Sequence, residues 1–156
     1  IRPFPWVAPL LERLRGRYRL GLLSDGYLPA QRLKLEALGI GHFFDAVVFT
    51  EELGREAWKP SEIGFLHVAR ELGLGKREHR RPPLAYVADN PAKDFVAPNA
   101  LGWVTIQFTP PGAVHAGAAA PPSGRPQLRA ATPEELAAIL TQNSLNTKST
   151  KDGNEG

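Results

Sequence analysis

Leu84 Ala85 Tyr86 Val87 Ala88 Asp89 Asn90 Pro91 Ala92 Lys93 Asp94 Phe95 is the stretch that decides how the 156-residue chain is read. Residues 84–88 are apolar or aromatic, with prolines before them and a polar turn after, which predicts a strand buried on both faces. Asp89 then stands at the carboxyl end of that strand, where open α/β sheets bind their ligands. Asp94 follows on the descending turn. Two carboxylates on one strand-to-helix connection suit Mg²⁺, which takes a few carboxylate oxygens and keeps water or phosphate in its other octahedral positions. The same residue types also start helices, because Asn90 followed by Pro91 reads as an N-cap with proline at the first helical position. Taken alone, residues 84–95 leave the two readings level.

Outward from this stretch, strands and helices alternate. Val7, Leu10, Leu11 and Leu14 fall at i, i+3, i+4 and i+7, which predicts an amphipathic helix; Gly16 lies near its end, and Arg13, Arg15 and Arg17 complement its dipole. Leu20 Gly21 Leu22 Leu23 reads as a strand that ends in Ser24 Asp25 Gly26. A helix from about Pro29 to Leu38 turns Leu35 and Leu38 inward and stops at Gly39. Ala46 Val47 Val48 Phe49 Thr50 has the β-branched and aromatic content of a buried strand. A polar loop then reaches Trp58 Lys59 Pro60 Ser61, and Ser61 can cap a helix carrying Phe65, Val68, Ala69 and Leu72 and closed by Gly73. After the 84–88 strand come a short helix near 92–100 and the strand Val104 Thr105 Ile106 Gln107 Phe108. Such alternation argues for a parallel sheet with helices on its faces over residues 1–109. Residues 110–127 are rich in proline, glycine and alanine and read as a mobile loop. Within 128–142, Thr132 Pro133 Glu134 Glu135 forms a capping box ahead of Leu136, Ile139 and Leu140. Residues 143–156 read as a disordered tail.

Composition narrows the function classes. Hydrophobic residues make up 42% and charged residues 22%, ordinary for a globular domain with its own core. The absence of cysteine excludes a disulfide framework and thiolate metal sites. No apolar run approaches the ~18 residues of a membrane span, and residues 1–5 lack the features of a signal peptide, so the expected location is cytoplasmic. The net charge is +3. Its basic run, Lys76 Arg77 Glu78 His79 Arg80 Arg81, has no interleaved aromatics and reads as a solvated loop rather than a nucleic-acid surface. The chain contains no methionine, even at position 1, which predicts a processed chain or part of a longer reading frame.

Three polar sites thus end or precede elements of one sheet: Ser24, Lys59, and Asp89 with Asp94. Together they resemble the haloacid dehalogenase (HAD) superfamily. Leu22 Leu23 Ser24 Asp25 Gly26 is similar to its second motif, Trp58 Lys59 Pro60 Ser61 to its third, and residues 86–95 to its fourth. Gln31, residues 34–39, Phe43 Phe44 Asp45 and Leu101 Gly102 Trp103 also look like that family, and residues 133–141 match a family-type terminal helix. The resemblance implies a three-layer Rossmann-like α/β core with a parallel sheet. It implies Mg²⁺-dependent transfer of a phosphoryl group from a small molecule to an aspartate, followed by hydrolysis of the aspartyl-phosphate. Ser24, with Asp25 and Gly26, would hold the phosphoryl group. Lys59 would stabilise its charge and the nucleophile, Asp89 and Asp94 would position Mg²⁺, and Asn90 would support them.

Two departures stand out. Ala88 replaces a glycine common in the family. More seriously, no Asp-x-Asp follows an apolar strand anywhere in the chain. That motif carries the nucleophile on the central strand of the family's sheet, with the substrate-selecting cap after it. The sequence therefore predicts an incomplete core, lacking first strand and cap, that is poorly stable and inactive alone. A non-catalytic phosphate- or Mg²⁺-binding module, or half of a split enzyme completed by an N-terminal polypeptide, is the alternative. A nucleic-acid binder using residues 76–81 would instead show strongly salt-dependent affinity.

Overall fold

The computed structural model describes residues 1–74 and 84–142. Its elements run α1 (Val7–Arg15), β1 (Gly21–Ser24), α2 (Leu28–Leu38), β2 (Ala46–Phe49), α3 (Ile63–Glu71), β3 (Ala85–Ala88), α4 (Val96–Ala100), β4 (Val104–Phe108), β5 (Leu128–Ala130) and α5 (Pro133–Thr141). Every strand pairing is parallel, as alternating strands and helices require. The strands form two sheets, β1-β2 and β3-β4-β5. Leu23 stands beside Val48 in one, and Val87 beside Ile106 in the other. Among the described residues β1 pairs only with β2, and β3 only with β4, so each keeps one edge unpaired.

Helix α3 joins the two sheets. Phe65 is fully buried, and its ring meets Tyr86 edge-on at 4.9 Å and Trp103 at 5.8 Å. Leu23, Val48, Val68 and Ala69 complete the same core, which therefore draws on strands of both sheets. Gly64 permits this docking, since a Cβ there would lie 3.0 Å from the Leu23 side chain and 3.1 Å from that of Thr50. A second core holds Leu14 of α1, Ile106 of β4, Ala130 of β5, and Leu136 and Leu140 of α5. Its rim is closed by Trp6, edge-on to Phe108 at 5.4 Å, and by the Tyr18 hydroxyl, which donates to the Leu140 carbonyl. No helix among the described residues is long and apolar enough to cross a membrane.

Several local expectations are corrected. β3 is not buried on both faces; its residues are partly covered and Val87 is 36% exposed, because among the described residues one edge of the strand has no neighbour. No residue of α2 is buried, so Leu35 and Leu38 are covered only in part. Ser61 does not cap α3 in the usual sense: Glu62 takes the N-cap position without a side-chain bond, while Ser61 Oγ accepts weakly from the Ile63 N–H at 3.4 Å. The helix expected near 92–100 begins only at Val96, because residues 90–94 are held in a turn. Residues 110–127 are fastened near their end, where Asn99 Nδ2 donates to the carbonyls of Ser123 and Arg125, both at 2.9 Å. β5 follows in the stretch assigned to the terminal helix region, too short at three residues to show a period. The capping box of α5 forms, with Thr132 Oγ1 accepting from the Glu135 N–H at 3.1 Å. The basic run 76–81 and the tail 143–156 lie outside the described residues.

Candidate active site

The loops after β1, β2 and β3 and the loop before α3 meet at the carboxyl ends of the strands. A parallel sheet gathers its polar loops there, and helix starts add unpaired N–H groups. Asp25 is the hub of the first half. Its carboxylate, only 8% exposed, accepts from Thr50 Oγ1 at 2.9 Å and the Lys59 N–H at 3.1 Å, and faces Lys93 Nζ at 3.5 Å. Thr50 Oγ1 also lies 3.4 Å from the Ser24 carbonyl. Asp25 thereby fixes the backbone around Lys59 to the end of β1. Expected beside a phosphoryl group, it turns its oxygens onto protein donors instead; an anion so placed would repel a phosphate rather than bind it.

Ser24 ends β1 and donates from Oγ to Gln31 Oε1 at 3.1 Å. Gly26 turns the chain into α2 at φ 119°, in a conformation that L side chains rarely adopt, and a Cβ there would come within 2.8 Å of Gln31 Nε2. The Lys59 side chain is 9% exposed and Asp94 5%; Lys59 Nζ donates to Asp94 Oδ1 at 3.0 Å. The other oxygen of Asp94 accepts from the Asn90 N–H at 3.1 Å. Asn90 Oδ1 accepts in turn from the Ala92 N–H at 3.1 Å, which shapes the turn as an Asx motif. Asn90 is thus not the helix cap that the sequence also allowed, since α4 begins at Val96 with Phe95 at its N-cap; it organises the turn that presents Asp94. Asp89 is placed by its own carbonyl, which accepts from Gln107 Nε2 at 3.2 Å. Among the described residues its carboxylate has no hydrogen bond or ion pair.

Electrostatics centre on Lys59 and Tyr86. Burial disfavours the Lys59 ammonium, yet the Tyr86 oxygen and the Asp94 carboxylate outweigh it and hold the lysine above its ordinary value. Burial likewise disfavours the Tyr86 phenolate and pushes that phenol up to about 12, against the pull of Lys59. Tyr86 is therefore neutral at physiological pH, and acts on the ammonium as a dipole rather than a charge. Two ion pairs tie the halves in opposite senses. Lys59 of the first half meets Asp94 of the second, and Lys93 of the second meets Asp25 of the first.

The donor set fits a hard divalent cation. Mg²⁺ needs only one or two protein carboxylates, with water and phosphate oxygens completing its octahedron. Asp89 has both oxygens available, and each oxygen of Asp94 accepts one bond and keeps capacity for another. No cluster of three metal-binding side chains occurs among the described residues. Thr50, Lys93 and Tyr86 were not singled out from the sequence. Thr50 read as strand and Tyr86 as core, although a lysine directly before Asp94 on a ligand-binding turn was a usable signal.

Comparison with known proteins now bears on this arrangement. The family model described as haloacid dehalogenase-like hydrolase matches residues 1–102. The chain is 39% identical over 109 residues to the glyceraldehyde 3-phosphate phosphatase of Methanopyrus kandleri, a match covering 69% of this chain and 44% of that protein. Among solved structures, a HAD phosphatase from Thermococcus onnurineus superposes with a TM-score of 0.67 at 26% identity, covering 88% of this chain and 58% of that one. The HAD-hydrolase YfnB of Bacillus subtilis bound to magnesium gives 0.68 at 20% identity, over 89% and 56%. The chain thus spans less than half the length of the curated relative it matches.

Proposed function

The chain belongs to the haloacid dehalogenase-like hydrolases, and from that premise we propose that it supplies the phosphate- and metal-binding side of a phosphatase acting on a phosphorylated small molecule through an aspartyl-phosphate. One observation carries this reading. A buried ammonium, Lys59, is held against Asp94, on the turn that Asp89 opens, and among the described residues the Asp89 carboxylate has no hydrogen bond or ion pair. A cation held in a dry site suits an anion, and a carboxylate left open on the same turn suits a hard metal ion.

In this reading the Ser24 hydroxyl and the Lys59 ammonium hold the phosphoryl oxygens, and Lys59 offsets charge that builds as the phosphorus–oxygen bond breaks. Asp89 and Asp94 would hold Mg²⁺, which when bound neutralises the phosphate and orients it. Asp25 keeps the Lys59 backbone in place. The attacking carboxylate belongs to a parallel strand that pairs with the unpaired edges of β1 and β3, since the 156 residues contain no Asp-x-Asp. The substrate is a small phosphorylated aldehyde or sugar, a reading supported by the name of the archaeal relative. The lack of Asp-x-Asp favours one alternative, a module that binds phosphate and Mg²⁺ without turnover, or one half of a split enzyme.

The test uses the full-length gene product and glyceraldehyde 3-phosphate, with and without Mg²⁺. Mg²⁺-dependent phosphate release, reduced at least about a hundredfold by Lys59→Ala, is expected, as when a group that stabilises transition-state charge is lost. Release of no phosphate from any member of a phosphomonoester panel overturns the phosphatase reading. Calorimetric binding of inorganic phosphate that still depends on Mg²⁺ would then establish the binding module.

A further inference from the structure

We propose that Lys93 is a positioning residue that acts through Asp25: its ammonium offsets the buried Asp25 carboxylate, so that the loops around Ser24 and Lys59 admit a phosphate. The consequence for phosphate rests on the phosphoryl-transfer reading above, and the geometry does not. Asp25 follows Ser24 directly, and its Oδ2 accepts from the Lys59 N–H at 3.1 Å. It therefore lies against both residues read as holding phosphoryl oxygens. Its side chain is only 8% exposed, so water and salt do little to screen its charge. Its bonds to Thr50 Oγ1 and to the Lys59 N–H are to neutral donors, and the Lys59 ammonium is turned to Asp94. Among the described residues the charged partner left to Asp25 is Lys93, whose Nζ lies 3.5 Å from Oδ2.

A fixed backbone puts Lys93 there. Its N–H donates to the Asn90 carbonyl at 3.4 Å and that of Asp94 to the same oxygen at 3.0 Å, so Lys93 stands on the turn that presents Asp94. Its side chain reaches from that turn to the end of β1 and stays 43% exposed. As a structural tie such a pair contributes little. As a charge it acts further, because Coulomb energy falls only with the first power of distance. Without Lys93, an incoming phosphate dianion meets an uncancelled carboxylate. With Lys93, it meets an ion pair, whose field falls away faster than that of a single charge.

Removing the cation alone should therefore harm the site, and removing both charges should not. In the full-length gene product at a fixed Mg²⁺ concentration, Lys93→Met should weaken calorimetric binding of inorganic phosphate about tenfold and raise KM for glyceraldehyde 3-phosphate similarly, with kcat within about threefold. The melting temperature should stay within a few degrees. Lys93→Arg, which keeps the charge, should bind phosphate within about threefold of wild type. The sharpest test combines Asp25→Asn with Lys93→Met. The amide keeps the neutral bonds, its oxygen accepting from the Lys59 N–H and its nitrogen donating to Thr50 Oγ1. Phosphate affinity should return to within about threefold of wild type. An ammonium that touched the phosphate itself, or only tied the two halves together, would leave the double variant as weak as Lys93→Met. That result overturns the proposal, as does wild-type phosphate affinity in Lys93→Met. Should the double variant fail to fold, Lys93→Glu takes its place: a reversed charge should weaken phosphate about tenfold beyond Lys93→Met, and equal weakening overturns the proposal. A wild type that binds phosphate and hydrolyses no phosphomonoester, yet loses that binding on Lys93→Met, sinks the phosphatase reading and leaves the role of Lys93 standing. A wild type that neither binds nor releases phosphate overturns both.

Discussion

The two sheets are stabilised in different ways. The β3-β4-β5 sheet has a fully buried central residue, Ile106, and is clasped on one face by α1 and α5. The β1-β2 sheet has two strands, and its neighbour α2 buries no residue. Its covering comes mostly from α3, whose Phe65 also reaches Tyr86 and Trp103 on the side of the other sheet. One half has a core to itself, and the core of the other is shared between the two. The residues of the candidate site, by contrast, are shared equally: Ser24, Asp25 and Lys59 come from the β1-β2 half, and Asp89, Lys93 and Asp94 from the other.

The strongest way to break that comparison is at the shared core. Phe65→Ala should cost about 3–5 kcal/mol, in line with truncation of a fully buried phenylalanine. Amide exchange should show β1 and β2 losing protection before β4 does. A uniform loss of protection across both sheets would show that the halves unfold as one unit and that the asymmetry is only geometric.

Next in size are the two ion pairs between the halves. Lys59→Ala leaves Asp94 buried without its cation and should cost about 3 kcal/mol. Lys93 is 43% exposed and 3.5 Å from its partner, so Lys93→Ala should cost no more than about 1 kcal/mol. Equal losses in urea denaturation would mean that the exposed pair carries as much as the buried one.

The smallest effect needs no substitution of the charged groups. Tyr86 ionises near 10 when unfolded but is pushed up to about 12 in the fold. Below pH 10 both states are protonated and nothing changes. Between 10 and 12 the unfolded chain releases a proton that the folded chain retains, so stability falls as pH rises. The melting temperature of the wild type should therefore drop further than that of Tyr86→Phe over this window, and phenolate absorbance should reveal one of the three tyrosines ionising late. Parallel melting curves would count against a buried phenol.

Much of this was legible before the structure. Repeating apolar positions announced α1 and α3 and Gly39 announced the end of α2, while Ser24, Asp89 and Asp94 after strands and Lys59 ahead of a helix were the residues that the sequence offered as a candidate site. What stayed hidden depends on neighbours that sequence spacing does not name. Val87 reads as core and is 36% exposed, on a strand that has one unpaired edge among the described residues. Thr50 reads as strand, yet it carries the bond between Asp25 and Ser24. Tyr86 reads as filling, since nothing local reveals that Lys59 lies against it. β5 is too short to show a period, and its place is set by its pairing with β4.

The crossed ion pairs have one more consequence. Each half presents one lysine and one aspartate to its counterpart, in opposite order, like the pins of a polarised plug. Docked in the native order, both contacts attract. Docked with the order exchanged, lysine would face lysine and aspartate would face aspartate, and both would repel. The four side chains therefore favour one alignment of the two halves over its exchanged counterpart, and that alignment is the one in which the loops of the site converge.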